Sequence, residues 1–296
     1  MQECGPPRQR ATHTIDKVSV IDFILNLACL LLWLNWRSLG ADPLSKTTPA
    51  TLAGTLRRAE PQRLKGWHLL TGLLLMLLLR ALLYWQIGPA VNWTPKLRLV
   101  AIAISFRSDF LERMLLFSGL SFAMALAVFY LFVLLLSLAS QDSADPNPLQ
   151  RFLRMQLGWD RRWPTPLKLL LPLVLGMAFW LILNPVLANR SIIPSVSVKQ
   201  RMEQALLIGL GSYLIWKYLI GVVLFLSLLS TYVYLGNHWF WTFVATTSRN
   251  LLAPLRWVPL RLGKVDFAPI AGMVVVFILA EFAERGLVEL FERLTL

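Results

Sequence analysis

The feature that most constrains this chain is the recurrence of apolar runs long enough to cross a lipid bilayer. A hydrocarbon core of roughly 30 Å is spanned by about 20 mostly apolar residues in a helix. About six runs approach that length: Val18 to Trp36, Trp67 to Ile87, Met114 to Ala139, Leu167 to Ala188, Ala205 to Leu235, and a last one that starts near Pro269 and stays apolar to Ala280 before charges appear. Polar residues interrupt the first two, and the third is the cleanest. The fourth carries Pro172 in its early turns, where a missing N–H costs least. The fifth is long enough to tilt or to run past the interface. Composition agrees: 56% of the 296 residues are hydrophobic and only 15% are charged, too apolar a balance for an ordinary soluble domain. The fold class expected is all-α, a polytopic helical membrane protein with about six transmembrane helices.

Arg8, Arg10 and Lys17 precede the first run as they would in a secretory signal. The run is long, however, and ends in LNWRS rather than at a small-x-small site, so it reads as a retained span. Cys4 lies in the tail and Cys29 inside the first run, which makes a disulfide between them improbable.

A formal net charge of +13 would suggest nucleic acid in a soluble protein. Here the bases sit between the apolar runs. Arg57, Arg58, Arg63 and Lys65 precede the second; Arg151, Arg154, Arg161 and Arg162 the fourth; Arg249, Arg256, Arg261 and Lys264 the sixth. That distribution fits side chains snorkelling to lipid phosphates, so the expected partner is a bilayer with anionic headgroups and not nucleic acid. The alternate connections are nearly as basic (Lys96, Arg98, Arg107 and Arg113; Arg190, Lys199 and Arg201), so the positive-inside rule favours neither orientation.

The chain divides into a tail (1–17), a pair of spans with basic loops (18–113), and two similar halves, 114–190 and 205–296; a turn-forming break, QDSADPNP at 141–148, follows the third apolar run inside the first of them. Each half passes from an Asn through a short amphipathic stretch to a Pro/Arg/Trp segment, then into an apolar helix with an early Pro and a following Gly. In the second half, Trp239, Phe240, Phe243, Leu251 and Leu252 interleave with Thr246, Thr247, Ser248, Arg249 and Asn250. This predicts a helix from about His238 to Leu252 lying in the interface and ended by Pro254.

The stretch LLAPLRWVPLRLGKVDFAPIAGMVVVFIL (251–279) resembles the signature of the YggT family of small integral membrane proteins, through Pro254, Arg256, Pro259, Gly263, Asp266 and Pro269. The family module is a helix, an amphipathic connection with a Pro-Arg-rich segment, and a second helix, often in two copies. The first half is a degraded copy, and residues before Met114 fall outside the resemblance. Where the family tends to have Ser before the proline, this chain has Ala268, which cannot cap; Asp266 is expected to cap the last helix instead, with Pro269 in its first turn. The resemblance implies a non-catalytic role in organising or assembling membrane components, with links to cell division, osmotic stress and cytochrome assembly, in a bacterial cytoplasmic membrane. Its partners would be other membrane proteins, among them further copies of the chain. Arg249, Pro254, Arg256, Pro259, Arg261, Gly263 and Lys264 would form a rigid, basic platform at headgroup depth.

No paired-carboxylate motif, H-E-x-x-H, C-x-x-C or phosphate-cradling Gly loop occurs, so neither an enzyme nor a cofactor or metal is expected. His68 and His238 each adjoin a Trp at a span edge and read as interfacial anchors, with haem or metal ligation as the alternative. The ionisable residues inside the runs carry the remaining functional signal. Asp22 and Asn26 share a helix face, Arg80 lies in the outer third of its run and reads as snorkelling, and Lys217 lies near the middle of the fifth, with Glu281 and Glu284, late in the sixth, as plausible partners. One reading pairs Lys217 with Glu281 and, with Asp22, lines a polar path for an ion or solute. The favoured reading has Lys217 reaching an interface along a tilted helix and Glu281 pairing with Arg285 one turn on.

Overall fold

A computed structural model describes residues 7–40, 66–90, 93–99, 102–140, 152–153, 156–157, 164–233, 238–257, 261–262 and 265–295. Helix dominates, as backbone in hydrocarbon requires when every N–H and C=O must bond within its own segment. In chain order the helices are α1 (Pro7–Gly40), α2 (Gly66–Ala90), α3 (Leu111–Ala139), α4 (Thr165–Asn189), α5 (Val198–Gly211), α6 (Trp216–Tyr232), α7 (Trp239–Leu251) and α8 (Ala268–Thr295). A 3-10 turn, Ser212–Ile215, joins α5 to α6. Two small hairpins, which the apolar pattern did not signal, complete the set: β1 (Lys96–Leu99) with β2 (Ile102–Ser105), and β3 (Arg261–Leu262) with β4 (Val265–Asp266).

Among the described residues, five helices are long and apolar enough to cross a membrane: Val20–Ser38, Gly66–Pro89, Leu111–Ala139, Thr165–Asn189 and the continuous run Val198–Tyr232 through the 3-10 turn. The expectation of about six is thereby reduced by one. α8 has the length, but Glu281, Glu284 and Arg285 fall within its apolar half and the turns that follow. Only 6% to 28% of the apolar windows of the five spans is buried within the protein. Leucines such as Leu74, Leu75 and Leu175 are more than half exposed, an arrangement that water would penalise and lipid does not. The chain is an integral membrane protein with an all-α, polytopic fold.

Two compact units divide the chain, Met1–Leu97 with Ser105–Ala127 and Arg98–Ile104 with Val128–Leu296. The division falls inside α3, between Ala127 and Val128. In the first unit, α1 and α2 pack together, and Cys29, Leu73 and Phe122 form a core with Leu32, Trp33, Met76 and Leu77 against it. Tyr84, Trp93, Phe106 and Phe117 make a chain of tilted and edge-on rings. Ser118 Oγ donates to the Leu77 carbonyl at 2.9 Å, tying α3 to α2.

In the second unit, α4 and α5 run antiparallel and meet at two glycines. A Cβ on Gly176 would stand 2.9 Å from the Gly209 Cα, and one on Gly209 would stand 2.7 Å from the Leu173 carbonyl oxygen. Small residues that let backbones approach are the usual means of packing helices where no hydrophobic effect drives them together. α5 starts in a complete capping box: Ser197 accepts from the Gln200 N–H, and the Gln200 side chain accepts from the Ser197 N–H. Tyr213 Oη then donates to the Leu169 carbonyl at 2.6 Å, so the 3-10 turn is pinned to α4.

α6 ends where Val233 turns extended, and α7 begins at Trp239 with His238 as its N-cap. The helix expected from His238 to Leu252 is therefore present as a separate element. Its inner face buries Phe243, Val244, Thr247 and Ser248; Ser248 shares a 2.7 Å hydrogen bond with Ser227 of α6, and Asn250 donates to the Ala139 carbonyl at 2.8 Å.

Candidate functional site

α1 places Asp22, Asn26 and Cys29 on one face, at the four- and three-residue spacings that bring helical side chains into line. α2 does the same for Arg80 and Tyr84, and α3 contributes Ser121. Apart from Cys29, which packs in the apolar core, these side chains converge inside the first unit on the Asp22 carboxylate. Its Oδ1 accepts from Arg80 Nη2 and from Tyr84 Oη at 2.8 Å. Its Oδ2 accepts from Ser121 Oγ at 3.1 Å and from Asn26 Nδ2 at 3.3 Å. A carboxylate offers about four acceptor positions, and here all are taken.

Asn26 locks the group together. Its oxygen accepts from Arg80 Nη1 at 2.7 Å while its nitrogen donates to Ser121 Oγ at 2.9 Å as well as to Asp22. The Arg80 guanidinium lies 5.5 Å from the centre of the Tyr84 ring and 5.9 Å from that of Phe117, distances at which a cation is held by a ring face. The Arg80 side chain is fully buried and that of Asp22 is 21% exposed. Arg80 Nε is buried and makes no hydrogen bond.

This arrangement corrects the sequence reading of Arg80. The side chain does not snorkel to an interface; it turns inward, because a carboxylate, an amide and two ring faces at the same depth solvate the guanidinium. The Asp22–Asn26 spacing was the available signal, since two polar residues on one apolar helical face require a polar partner on a neighbouring helix.

The other two residues of the polar-path reading lie in the second unit, each with its own partner. Lys217 Nζ sits 2.7 Å from Glu284 Oε2, with the Lys217 side chain 13% exposed. Glu281 pairs instead with Arg285 of its own helix at 3.0 Å, with both side chains largely exposed. Of the two carboxylates offered as partners, Lys217 therefore takes Glu284 and not Glu281. Phe277 fills the space over Gly221 of α6; Glu284 follows it by seven residues, about 20° off the same stripe, whereas Glu281 is rotated by about 40°. The Glu281–Arg285 pair of the favoured reading is present, and Lys217 is held by Glu284, whose side chain is 44% exposed.

Part of the expected platform is described. Arg249 is exposed in the last turn of α7, and Pro254 is exposed in a 3-10 turn, Ala253–Trp257, that also contains Arg256. Arg261 lies in β3, its Cα opposite that of Asp266 in β4, with Leu262 opposite Val265. Pro259, Gly263 and Lys264 lie outside the described residues, as do the side chains of Arg256, Arg261 and Asp266, and with them the proposed cap. The strip is a 3-10 turn and a hairpin where described. The Phe267 carbonyl accepts from the Ala271 N–H at 3.0 Å, so Phe267 holds the N-cap position. Pro269 is the second residue of α8 and is buried.

His68 is exposed on α2. His238 has a role the sequence did not reveal: its Nδ1 accepts from the Phe240 N–H at 3.3 Å, capping α7. Among the described residues, no group of three or more His, Cys, Asp or Glu side chains is placed to hold a metal ion. No family model, no curated protein and no solved structure matches this chain.

Proposed function

We propose that this integral membrane protein is a non-catalytic organiser or assembly factor for other membrane components, of the kind implied by the resemblance of residues 251–279 to the YggT family. In this reading 114–190 and 205–296 are two YggT-like modules in a bacterial cytoplasmic membrane. The observation that carries the reading is the occupancy of the intramembrane charges. A residue that passes an ion along must exchange partners cheaply, yet all four acceptor positions of Asp22 are taken, three by neighbouring helices and one by Asn26 of its own helix, and Lys217 is closed on Glu284. Such charges join helices. The outer surface of α1, with Phe23, Ile24 and Leu31 each more than half exposed, is left for lipid or for the spans of another protein.

Two measurements test this. Photo-crosslinkers placed at Phe23 and Leu31 in the native membrane are expected to give discrete adducts with one membrane protein; a smear of lipid adducts alone argues against an organising role. In proteoliposomes the protein is expected to pass no ion above the empty-vesicle rate. A flux that disappears with Lys217→Leu would replace this reading with the channel or transporter reading built on Asp22, Lys217 and Glu281.

A further inference from the structure

The α4–α5 seam holds polar atoms that nothing in the protein satisfies. Asn184 of α4 is 1% exposed, and neither its Nδ2 nor its Oδ1 has a hydrogen-bond partner; the Nε of Arg201 in α5 is also buried without one. The two residues share one level of the seam. Leu173 and Met177 crowd Gly209, and one turn further along Trp180 Nε1 donates to Gln204 Oε1 at 3.2 Å. Asn184 continues the α4 stripe of Leu173, Met177 and Trp180 at helical spacing, while Ala205 and Arg201 continue the α5 stripe of Gly209. Following the antiparallel register toward the α4–α5 connection therefore brings Asn184 beside Arg201.

Leaving such groups bare in an apolar surrounding costs on the order of 1–3 kcal/mol each, and although the three atoms are closed off in this arrangement, the half-buried Arg201 side chain can swing aside to admit a polar molecule between them. Its chemistry follows from the atoms on offer. Arg201 Nε and Asn184 Nδ2 are donors, and the arginine is cationic, so the molecule presents an oxyanion. Asn184 Oδ1 is an acceptor, so the molecule also carries a hydroxyl. The depth is right for a lipid: Arg201 lies about 5 Å and Asn184 about 8 Å along the helix axis from the adjacent helix ends, where phosphates and glycerol meet the acyl chains when those ends reach the surface. Arg190 and Lys199, both exposed, make the surrounding surface cationic.

We propose that Asn184 and Arg201 form a binding site, at the end of the α4–α5 seam, for the phosphate of an anionic phospholipid with a hydroxylated headgroup. Phosphatidylglycerol is the simplest such lipid. The phosphate accepts from Arg201 Nε and Asn184 Nδ2, and a headgroup hydroxyl donates to Asn184 Oδ1. The site does not depend on the organising role, because a transporter would hold the same lipid.

The test is thermal unfolding of the full chain in detergent micelles, titrated separately with phosphatidylglycerol, phosphatidylcholine and inorganic phosphate. Phosphatidylglycerol is expected to raise the midpoint saturably, with an apparent affinity lowered about tenfold by Arg201→Gln and by Asn184→Leu, each of which removes hydrogen bonds to a charged group. Asn184→Asp keeps the size and polarity of the residue and, by repelling the phosphate, is expected to weaken binding at least as much should the leucine variant fold poorly. Lys199→Gln, which alters an exposed charge already paired with Glu203 at 3.9 Å, is expected to stay within about twofold. Equal affinity in all variants would mean that water or nothing fills the seam, and would overturn the site. An equal loss with Lys199→Gln would reduce it to general surface charge, and an equal response to inorganic phosphate would remove the lipid.

Discussion

Removing the Asp22 carboxylate should loosen the first unit far more than removing the carboxylate together with its cation. Asp22→Ala deletes the acceptor for four hydrogen bonds and leaves the buried Arg80 with Asn26 and two ring faces. Breaking a buried pair in this way costs about 3–5 kcal/mol, because the remaining charge keeps its desolvation penalty. The partial exposure of Asp22 places the expectation at the lower bound, about 3 kcal/mol. Cys29 provides the readout, since it is fully buried in the core that α1 shares with α2 and α3. In a Cys4→Ser background Cys29 is the sole thiol, and the rate at which a maleimide labels it follows the opening of this unit. About 3 kcal/mol corresponds to labelling faster by about a hundredfold. Asp22→Ala combined with Arg80→Leu, which removes the orphaned charge as well, should return the rate to within about tenfold of the parent. Labelling unchanged by Asp22→Ala, or a double variant as open as the sum of the two single ones, would refute the account of Arg80 as a cation solvated by this network.

Three further outcomes follow from the second unit, all read as shifts in unfolding midpoint in detergent. Glu284→Gln should destabilise by about 1 kcal/mol through its bond to Lys217, whereas Glu281→Gln, which breaks only an exposed pair within one helix, should stay within about 0.5 kcal/mol. Gly209→Leu should cost about 3 kcal/mol or prevent α4 from docking, since even a Cβ there meets the Leu173 carbonyl oxygen at 2.7 Å; Gly286→Ala, with nothing within 4 Å of the added carbon, should be neutral or stabilise by up to about 1 kcal/mol. His238→Ala should cost about 1 kcal/mol by uncapping α7, and His238→Asn should restore most of it.

How far the sequence disclosed this molecule depended on the range of each signal. The spans were legible because an apolar run needs no partner to be recognised. α7 was legible because its alternation of aromatic and polar residues has a local period and Pro254 ends it. The hairpins were hidden by their brevity, β3 and β4 having two residues each, too few for any alternation to register. The 3-10 turn at Ser212–Ile215 sits inside an unbroken apolar run; the Ser212 bond to the Gly209 carbonyl is local, but the Tyr213 bond that pins the turn to α4 is tertiary. Asp22 and Asn26 were recognised as a pair, but the residue that completes them lies 58 positions away, and a lone arginine near a span end carries no mark that separates snorkelling from inward pairing. Asn184, buried in an otherwise ordinary apolar run, gave no sequence signal; only its lack of partners sets it apart.

The two units also show two solutions to a problem that water-soluble helices do not face. In lipid, burying a leucine against another helix gains little over leaving it against an acyl chain, so association must come from close packing or from polar bonds. The Gly176–Gly209 contact is the first solution, bringing two backbones to a distance at which dispersion between main chains is the gain. The Asp22–Arg80 network is the second, joining α1, α2 and α3 through groups that would each be costly alone. These solutions fail differently. A glycine seam degrades in proportion to the volume added, whereas a saturated ion network fails as a whole when one member is removed. It follows that α1, with only 6% of its apolar window buried, is held chiefly by Asp22 and Asn26, and that its release by one substitution at Asp22 should leave the α4–α5 seam of the second unit intact.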